Sequence, residues 1–187
     1  MAVRKVLRMG HPVLRQLARP VTDEELRSDA LRALVADMID TLKDYGGIGL
    51  AAPQVGESIR LAIIEIPDGL TRYTETVPMP LTVFVNPTIE VLDGDVAGFW
   101  EGCLSVPGLR GYVERPQHVR VSYKDLDGEA HSLELEGFLA TVFQHEFDHL
   151  DGTLYVDRIE DMRLLAFDQE FERYLAPRDA AQTRDEG

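Results

Sequence analysis

The chain has 187 residues, of which 44% are hydrophobic and 28% are charged, and this length suits one domain with a substantial core. Its single cysteine cannot form an internal disulfide, which excludes a disulfide-framed secreted scaffold and predicts a soluble, cytoplasmic protein. No apolar run approaches the roughly 20 residues that span a bilayer, so no membrane association is expected. The formal net charge of −14 argues against a general polyanion binder, and direct DNA binding is not expected.

Positive charge is concentrated at the start of the chain. Residues 1–22 contain five cationic side chains and no acidic one. This segment lacks the serine enrichment of a transit peptide and is interrupted by Gly10 and Pro12, so we interpret it as part of the mature protein. The polar residues 177–187 are expected to form a disordered tail, which leaves residues 1–176 as a single domain.

The first predicted element after the basic segment is a helix. Thr22 and Glu25 have the spacing of a capping box, and apolar residues then recur at helical intervals. Gly46 and Gly47 end the pattern. The sequence therefore predicts one helix from about Asp23 to Asp44.

Short segments rich in β-branched residues follow. Arg60–Ile66 and Leu81–Val85 are predicted strands, and residues 67–80 between them form a turn-rich loop. Two further runs, Val119–Tyr123 and Leu133–Leu135, alternate apolar and polar residues around an Asp-Gly turn, which predicts an antiparallel hairpin.

A second helix is predicted from about Gly137 to Leu150, where apolar residues recur at helical spacing before Gly152. Strands segregated between two helices indicate an α+β fold. We expect mostly antiparallel sheets around this central helix, with an additional N-terminal helix.

The second helix contains the sequence His145-Glu146-Phe147-Asp148-His149, an H-E-x-x-H motif. Residues four apart share one helix face, so His145 and His149 can bind one metal ion while Glu146 projects towards a metal-activated water. A catalytic metal also needs an open position, so we expect few further protein ligands.

Three known kinds of site suggest where a third ligand would lie. Metzincin-type proteases have a third histidine downstream, but Tyr155 stands at that position here. A thermolysin-like endopeptidase site would take Glu170 or Glu172, provided that the segment is helical. Cys103 lies in a segment rich in glycine and proline, which favours a turn over a core strand, and its thiolate would complete a Cys-plus-two-His site.

Glycines cluster in residues 47–56, directly after the first predicted helix. They allow the backbone to approach a ligand closely, and Gln54 adds an amide that can stabilise an oxyanion. No Lys-Ser/Thr pair follows the glycines, so this is not a phosphate-binding loop.

Three segments together resemble the signature motifs of the peptide deformylase family, in the family's order and roughly its spacing. They are residues 47–56, Glu101–Ser105 and Gln144–His149. The resemblance extends to residues 6–21 and 110–123. It therefore includes most of the basic N-terminal segment.

The resemblance implies a hydrolase that removes the formyl group from the N-terminal formylmethionine of newly synthesised polypeptides and releases formate. Cys103, His145 and His149 would bind one divalent metal ion, Fe²⁺ in the cell, for which Zn²⁺, Ni²⁺ or Co²⁺ can substitute. Glu146 would be the general base on the attacking water and then protonate the departing amine. Residues 1–176 would be the catalytic domain.

The resemblance also implies an oxyanion site and a substrate cleft. The Gln54 side chain and the Leu104 backbone N–H would stabilise the oxyanion. The methionine side chain would lie in an apolar pocket formed by Ile48, Phe99, Phe138, Thr141, Val142 and the His145 ring. Backbone at Ile48, Gly49 and Gly102 would pair with an extended peptide, and Glu101 and Arg110 would support the site.

Partners follow from this activity. The substrates would be formylated nascent polypeptides, and a transient ribosome contact is expected. Some family members have a basic C-terminal helix that resembles a ribosome anchor, whereas residues 162–187 here have four Arg and six acidic residues. We therefore expect any ribosome contact to use the basic N-terminal segment. A non-enzymatic alternative is a binding module with a closed structural metal site.

Overall fold

The computed structural model describes residues 2–68 and 78–176, which form two antiparallel sheets and four helices. The helices are α1 (Asp23–Leu26), α2 (Asp29–Tyr45), α3 (Gly137–Asp148) and α4 (Asp168–Glu170). The strands are β1 (Gly49–Ala51), β2 (Leu61–Ile66), β3 (Met79–Val91), β4 (Val96–Cys103), β5 (Val106–Pro116), β6 (His118–Lys124), β7 (Ala130–Glu136) and β8 (Leu165–Phe167). The larger sheet has the order β1-β2-β3-β6-β7 and the smaller one β4-β5-β8, with antiparallel neighbours throughout. This confirms the predicted mixture of helices and antiparallel sheets.

The larger sheet lies between α2 and α3 because β2 is apolar on both faces. Leu61 and Ile63 pack in one core cluster with Met38 and Leu42 of α2. Ala62 and Ile64 alternate with them and pack in the second cluster, whose α3 members are Ala140, Val142, Phe143 and Phe147. Successive side chains of a strand point to opposite faces, so this continuous apolar run provides the central layer between two helices.

The single helix predicted over Asp23–Asp44 is wrong in one respect, since the structure breaks it into α1 and α2. Ser28 lies between them in extended conformation, and its Oγ accepts a hydrogen bond from Leu31 N at 3.2 Å. The expected capping box of Thr22 and Glu25 is present at the start of α1. Serine at an N-cap satisfies an otherwise free N–H, so a second helix begins there.

The strands of the smaller sheet were not predicted. Cys103, expected in a turn-rich segment, is the last residue of β4 and pairs with Val106 across a short turn. Strands are predicted from the alternation of apolar and polar residues, and glycine weakens that alternation. Gly98 on β4 and Gly111 on its partner β5 interrupt it. At Gly98 and Gly111 an added Cβ would lie against Tyr112 and Ile159, respectively, so close packing requires glycine there.

Strand β3 also extends past the predicted Val85 to Val91. Asn86 has φ of 51° and the register shifts between Val85 and Thr88, so a bulge carries the strand past Pro87. Of the predicted loop 67–80, residues 69–77 lie outside the described residues, and Met79 and Pro80 belong to β3. The predicted disordered tail, residues 177–187, also lies outside them.

Helix α3 begins at Gly137 with φ of 58° and ends at Asp148, two residues before the predicted end. A 3₁₀ turn over His149–Asp151 continues the chain in the helical direction, and His149 keeps helical dihedrals of −59° and −32°. The two motif histidines therefore retain the relative placement of neighbouring helical turns. Among the described residues, no helix is both long and apolar enough to cross a membrane.

Candidate metal centre

Three potential ligand atoms, one each from Cys103, His145 and His149, converge at the end of α3. All lie within 4.8 Å of one another. The Cys103 Sγ is 3.3 Å from His149 Nε2, and the two imidazole rings are nearly perpendicular, with centroids 5.4 Å apart. In the described part of the chain this is the one cluster of at least three such residues close enough to share a metal ion.

The orientation of His145 is fixed by Glu101 on β4. Its Nδ1 is 2.7 Å from Glu101 Oε2, so Nε2 is the ring nitrogen left for the cluster. His149 differs, because its Nδ1 is buried and has no hydrogen-bond partner among the described residues. A carboxylate therefore orients the His145 imidazole, whereas the His149 imidazole has its polar side-chain contact at Nε2, with Cys103 Sγ.

Glu101 is itself held by Arg115, a guanidinium only 2% exposed. Arg115 donates from Nε and Nη2 to the two Glu101 carboxylate oxygens at 2.6 and 3.0 Å, and from Nη1 to Asp148 Oδ2 at 2.8 Å. Arg158 donates to both oxygens of Asp148 from the other side. This continuous chain of hydrogen bonds connects Arg158, at the protein surface, to His145.

These contacts shift the protonation equilibria of the cluster. Burial raises the pKa of Glu101, but hydrogen bonds from His145 and Arg115 outweigh it and lower that pKa to about 2. Burial also opposes ionisation of Cys103, yet the charges and hydrogen bonds of His149 and His145 bring the thiol pKa well below its usual value. The thiolate is the form of cysteine that binds metals.

Glu146 lies beside the cluster in a tight backbone cradle. Its Oε2 is buried without a hydrogen-bond partner among the described residues, and desolvation raises the pKa of the carboxyl. A Cβ added at Gly49 of β1 would come within 2.5 Å of the Glu146 carboxylate. A carboxylate with a free buried oxygen, next to a thiol and two imidazoles, fits a site that receives a divalent cation and a water molecule.

Gln54 connects the glycine-rich segment to the cysteine segment. Its Oε1 accepts a hydrogen bond from Ala51 N at 2.8 Å, and its Nε2 donates to Ser105 Oγ at 3.2 Å. The same Nε2 is 3.6 Å from Cys103 Sγ. The amide is therefore fixed with its donor end beside the cluster, and Leu104 lines the cavity next to it.

The cluster lies in a cleft of about 1390 Å³. Most of the predicted substrate-binding residues line it, namely Ile48, Gly49, Glu101, Gly102, Arg110, Phe138, Thr141 and Val142. Phe99 does not belong to this lining and instead packs edge-on against Phe138, with ring centroids 5.9 Å apart. Arg110 lies over Gly102 and donates from Nε to Asp168 Oδ1 at 2.9 Å.

The thermolysin-like alternative is not favoured by this geometry. Glu170 belongs to the short helix α4 and Glu172 to the turn after it. Neither belongs to the cluster of potential metal ligands. The third potential ligand close to the two histidines is Cys103.

Sequence reasoning missed several residues that shape the site. Arg115, Ser105 and Tyr155 were not predicted, although Tyr155 stacks on the His145 ring at 6.0 Å and donates to Leu109 O. A signal for Arg115 was present, because it lies two residues after the buried Val113 and so shares its inward face. For Tyr155 and Ser105 the sequence has no such periodic signal.

Comparisons with known proteins agree with the resemblance. The family model described as polypeptide deformylase matches residues 3–164. A relative from Leptospira biflexa serovar Patoc named peptide deformylase is 42% identical over 172 residues, covering 92% of this chain and 96% of the relative. Peptide deformylase 2 of Bordetella bronchiseptica is 46% identical over 160 residues, covering 86% of this chain and 89% of the relative.

Solved structures give the same result. The class I type b peptide deformylase of Acinetobacter baumannii with Met-Ala-Ser bound has a TM-score of 0.78 and 41% identity, covering 84% of this chain and 99% of that one. Peptide deformylase from Thermotoga maritima has a TM-score of 0.75 and 38% identity, covering 86% and 100%.

Proposed function

The chain belongs to the peptide deformylase family, and on that premise we propose that it removes the formyl group from the N-terminal formylmethionine of newly synthesised polypeptides. It is an enzyme of the hydrolase class. The observation that supports this activity best is the convergence of Cys103, His145 and His149 beside Glu146, whose buried Oε2 has no hydrogen-bond partner in the described part of the chain. The reaction is hydrolysis of the formamide bond, which yields formate and a free amine.

Cys103, His145 and His149 would hold one divalent metal ion. A thiolate and two imidazoles suit several first-row metals, and we propose Fe²⁺, with Zn²⁺, Ni²⁺ or Co²⁺ as substitutes. When bound, the ion would lower the pKa of a water molecule and so supply a nucleophile near neutral pH. Three protein ligands leave a position open for that water, which disfavours a closed structural site in a non-enzymatic binding module.

Glu146 would take the proton from the attacking water and pass it to the departing amine. Its elevated pKa suits this exchange, because a group that both accepts and donates a proton works best when its pKa approaches the working pH. Gln54 Nε2 and the Leu104 backbone N–H would donate to the oxygen of the formyl group as negative charge develops there. Gln54 is already fixed by Ala51 and Ser105, so little reorganisation is needed.

The substrate would bind with its methionine side chain among Phe138, Thr141, Val142, Ile48 and the His145 ring, with Phe99 supporting Phe138. Glu101 and Arg110 would keep this region in place through their ion pairs. Extended backbone would pair with Ile48, Gly49 and Gly102. A formyl carbon has only hydrogen as its substituent, so a tight site admits it and excludes bulkier acyl groups.

Formylated nascent polypeptides are the expected substrates, and the enzyme would work in the cytoplasm. A transient ribosome contact through the basic N-terminal segment stays a prediction. No DNA or membrane partner is proposed. Residues 1–176 would act as one catalytic domain.

The proposal predicts formate release from a formyl-Met-Ala peptide by protein prepared without oxygen. Replacing the general base (Glu146→Gln) should lower kcat by about 100-fold or more, because general acid–base catalysis contributes roughly 10²–10⁴-fold. Bound metal, measured by atomic emission, should stay at the wild-type level.

Glu170→Gln and Glu172→Gln are matched controls that remove one carboxylate each outside the cluster. Both should release formate at the wild-type rate. A different result would support the thermolysin-like alternative. In that case the wild type would cleave internal peptide bonds and release no formate, and Glu170→Gln or Glu172→Gln would abolish the cleavage.

A further inference from the structure

The N-terminal segment forms one wall of the candidate active-site cleft. Leu7 N donates to Gln54 O at 2.8 Å and Met9 N donates to Ser105 O at 2.7 Å. The segment therefore bridges the glycine-rich and cysteine segments that surround the cluster. Val6, directly before the first of these hydrogen bonds, is buried, whereas Lys5 and Arg8 are exposed and line the cleft.

Most of the positive charge in this segment is neutralised locally. Arg4 pairs with Asp37 at 3.1 Å and Glu57 at 2.9 Å, and Arg19 pairs with Glu25 at 2.6 Å. Arg15 pairs with Asp157. Three of the five cations of residues 1–22 are thus paired with acidic side chains. The segment is therefore less basic than its sequence suggests, which is less favourable to the predicted ribosome contact.

Lys5 and Arg8 differ, because neither has an acidic partner among the described residues. Acidic groups that line the cleft do not compensate them. Glu101 is held by Arg115 and His145, Glu146 is buried beside the cluster, and Asp168 pairs with Arg110. One wall of the cleft therefore has two positive charges without an ion pair in residues 2–68 and 78–176, in a protein whose formal net charge is −14.

The cleft is larger than one methionine requires. Its volume of about 1390 Å³ exceeds the roughly 300–1,000 Å³ of a typical small-molecule pocket. A peptide with its formyl group at the cluster and its methionine among the α3 side chains must place its next residues along the remaining lining. The three residues after the methionine span about 10 Å when extended. The part of the lining available to them includes Lys5 and Arg8.

We propose that Lys5 and Arg8 make this enzyme selective for formylated peptides with acidic side chains among the three residues that follow the formylmethionine. This inference rests on the proposed deformylase activity. Attraction between opposite charges would raise the local concentration of such peptides and hold them in the cleft. The cations contact the downstream peptide and take no part in the chemical step, so the selectivity lies in KM.

The test compares C-terminally amidated formyl-Met-Ala-Asp-Asp, formyl-Met-Ala-Asn-Asn and formyl-Met-Ala-Lys-Lys at low salt. We expect kcat/KM to be about threefold to tenfold higher for the acidic peptide than for the neutral one, as partly screened charge pairs allow. The basic peptide should be poorer than the neutral one. The preference should fall below about twofold at 0.5 M salt, where screening is strong.

The double variant Lys5→Gln/Arg8→Gln should lose the preference while keeping the wild-type kcat on the neutral peptide. The matched control Arg27→Gln/Arg163→Gln changes the net charge equally at two exposed cations that do not line the cleft, and it should keep the preference.

Two outcomes overturn this inference and leave the proposed function intact. One is hydrolysis of the neutral peptide without preference for the acidic one, and the other is a preference that survives in the double variant. If the second outcome came with loss of ribosome binding in the double variant, it would favour an RNA-facing role for Lys5 and Arg8 instead. Formate release from none of the peptides would instead contradict the proposed function.

Discussion

Glu101 shares its carboxylate between the His145 imidazole and the Arg115 guanidinium, and this sharing determines its role. One oxygen contacts both the His145 ring and Arg115, and Arg115 also reaches Asp148, which Arg158 holds in turn. Removing one member of a buried ionic network leaves an uncompensated charge, at a cost of about 3–5 kcal/mol. The network is therefore better understood as a device that orients His145 than as a source of net stability.

The lowered pKa of Glu101 predicts a specific pH dependence. In the folded protein this pKa is about 2 against 4.5 for the unperturbed group, so the unfolded state binds more protons between these values. The resulting stabilisation is fully present above about pH 4.5 and is lost as the pH falls towards 2, with a total of roughly 3 kcal/mol. Urea denaturation between pH 7 and pH 3 measures the free energy of unfolding of the wild type and of Glu101→Gln. The difference between the two values should become smaller as the pH falls.

The exposed Glu160→Gln variant is the control for this measurement. The difference in the free energy of unfolding between this variant and the wild type should vary much less over the same pH range. If the difference between Glu101→Gln and the wild type were constant with pH, it would contradict the lowered pKa of Glu101 in the folded protein.

At the scale of elements, the site depends on how closely β1 approaches α3. Gly49 of β1 pairs with Ile64, and its backbone lies where any side chain would meet the Glu146 carboxylate. Helix α3 is held against the same sheet by Phe143 and Phe147, which pack on Phe84 with ring centroids 5.0 and 5.8 Å away. A well-packed core resists movement of a helix relative to a sheet. The packing of α3 against the sheet therefore sets the position of Glu146.

Gly49→Ala should displace the Glu146 carboxylate, since the new Cβ would lie 2.5 Å from it. We expect kcat for formate release to fall by at least about tenfold, because a small misplacement of a catalytic group can cost up to roughly 10²-fold. The amount of bound metal should change little. Steady-state kinetics together with metal analysis would measure both effects.

Gly94→Ala is the matched control, because an added Cβ there meets no atom within 4 Å. It should behave as the wild type. Wild-type kcat in Gly49→Ala would show that Glu146 tolerates displacement, against the role proposed for it.

At the scale of the molecule, the site joins distant parts of the sequence. Cys103 comes from the end of β4, His145 and Glu146 from α3, and Gln54 from the segment after β1. Local patterns predicted the β6–β7 hairpin and most of α3, because each has a strong period of its own. The H-E-x-x-H spacing predicted two metal ligands and a general base, because it too is a local pattern.

Other features required information that local patterns do not contain. The β4–β5 pair was missed because glycines that admit Tyr112 and Ile159 interrupt its alternation. Residues alone left Cys103, Glu170 and Glu172 as competing third ligands, and the chain fold brings only Cys103 into the cluster. The charges of Arg4 and Arg15 looked like a basic surface because their acidic partners are remote in sequence. Arg19 instead pairs with Glu25, which lies just after the acid-free residues 1–22.

We propose that formate release depends on a metal ion held by Cys103, His145 and His149. Anaerobic titration of metal-free protein with Fe²⁺, with formate release measured at each step, tests this dependence. In the wild type, activity should rise and saturate at one equivalent, and Cys103→Ala should neither bind the ion tightly nor release formate. His118→Ala, which removes a histidine paired with Asp93 outside the cluster, should titrate as the wild type. Saturation at one equivalent with wild-type activity in Cys103→Ala would contradict the role of Cys103 as a metal ligand.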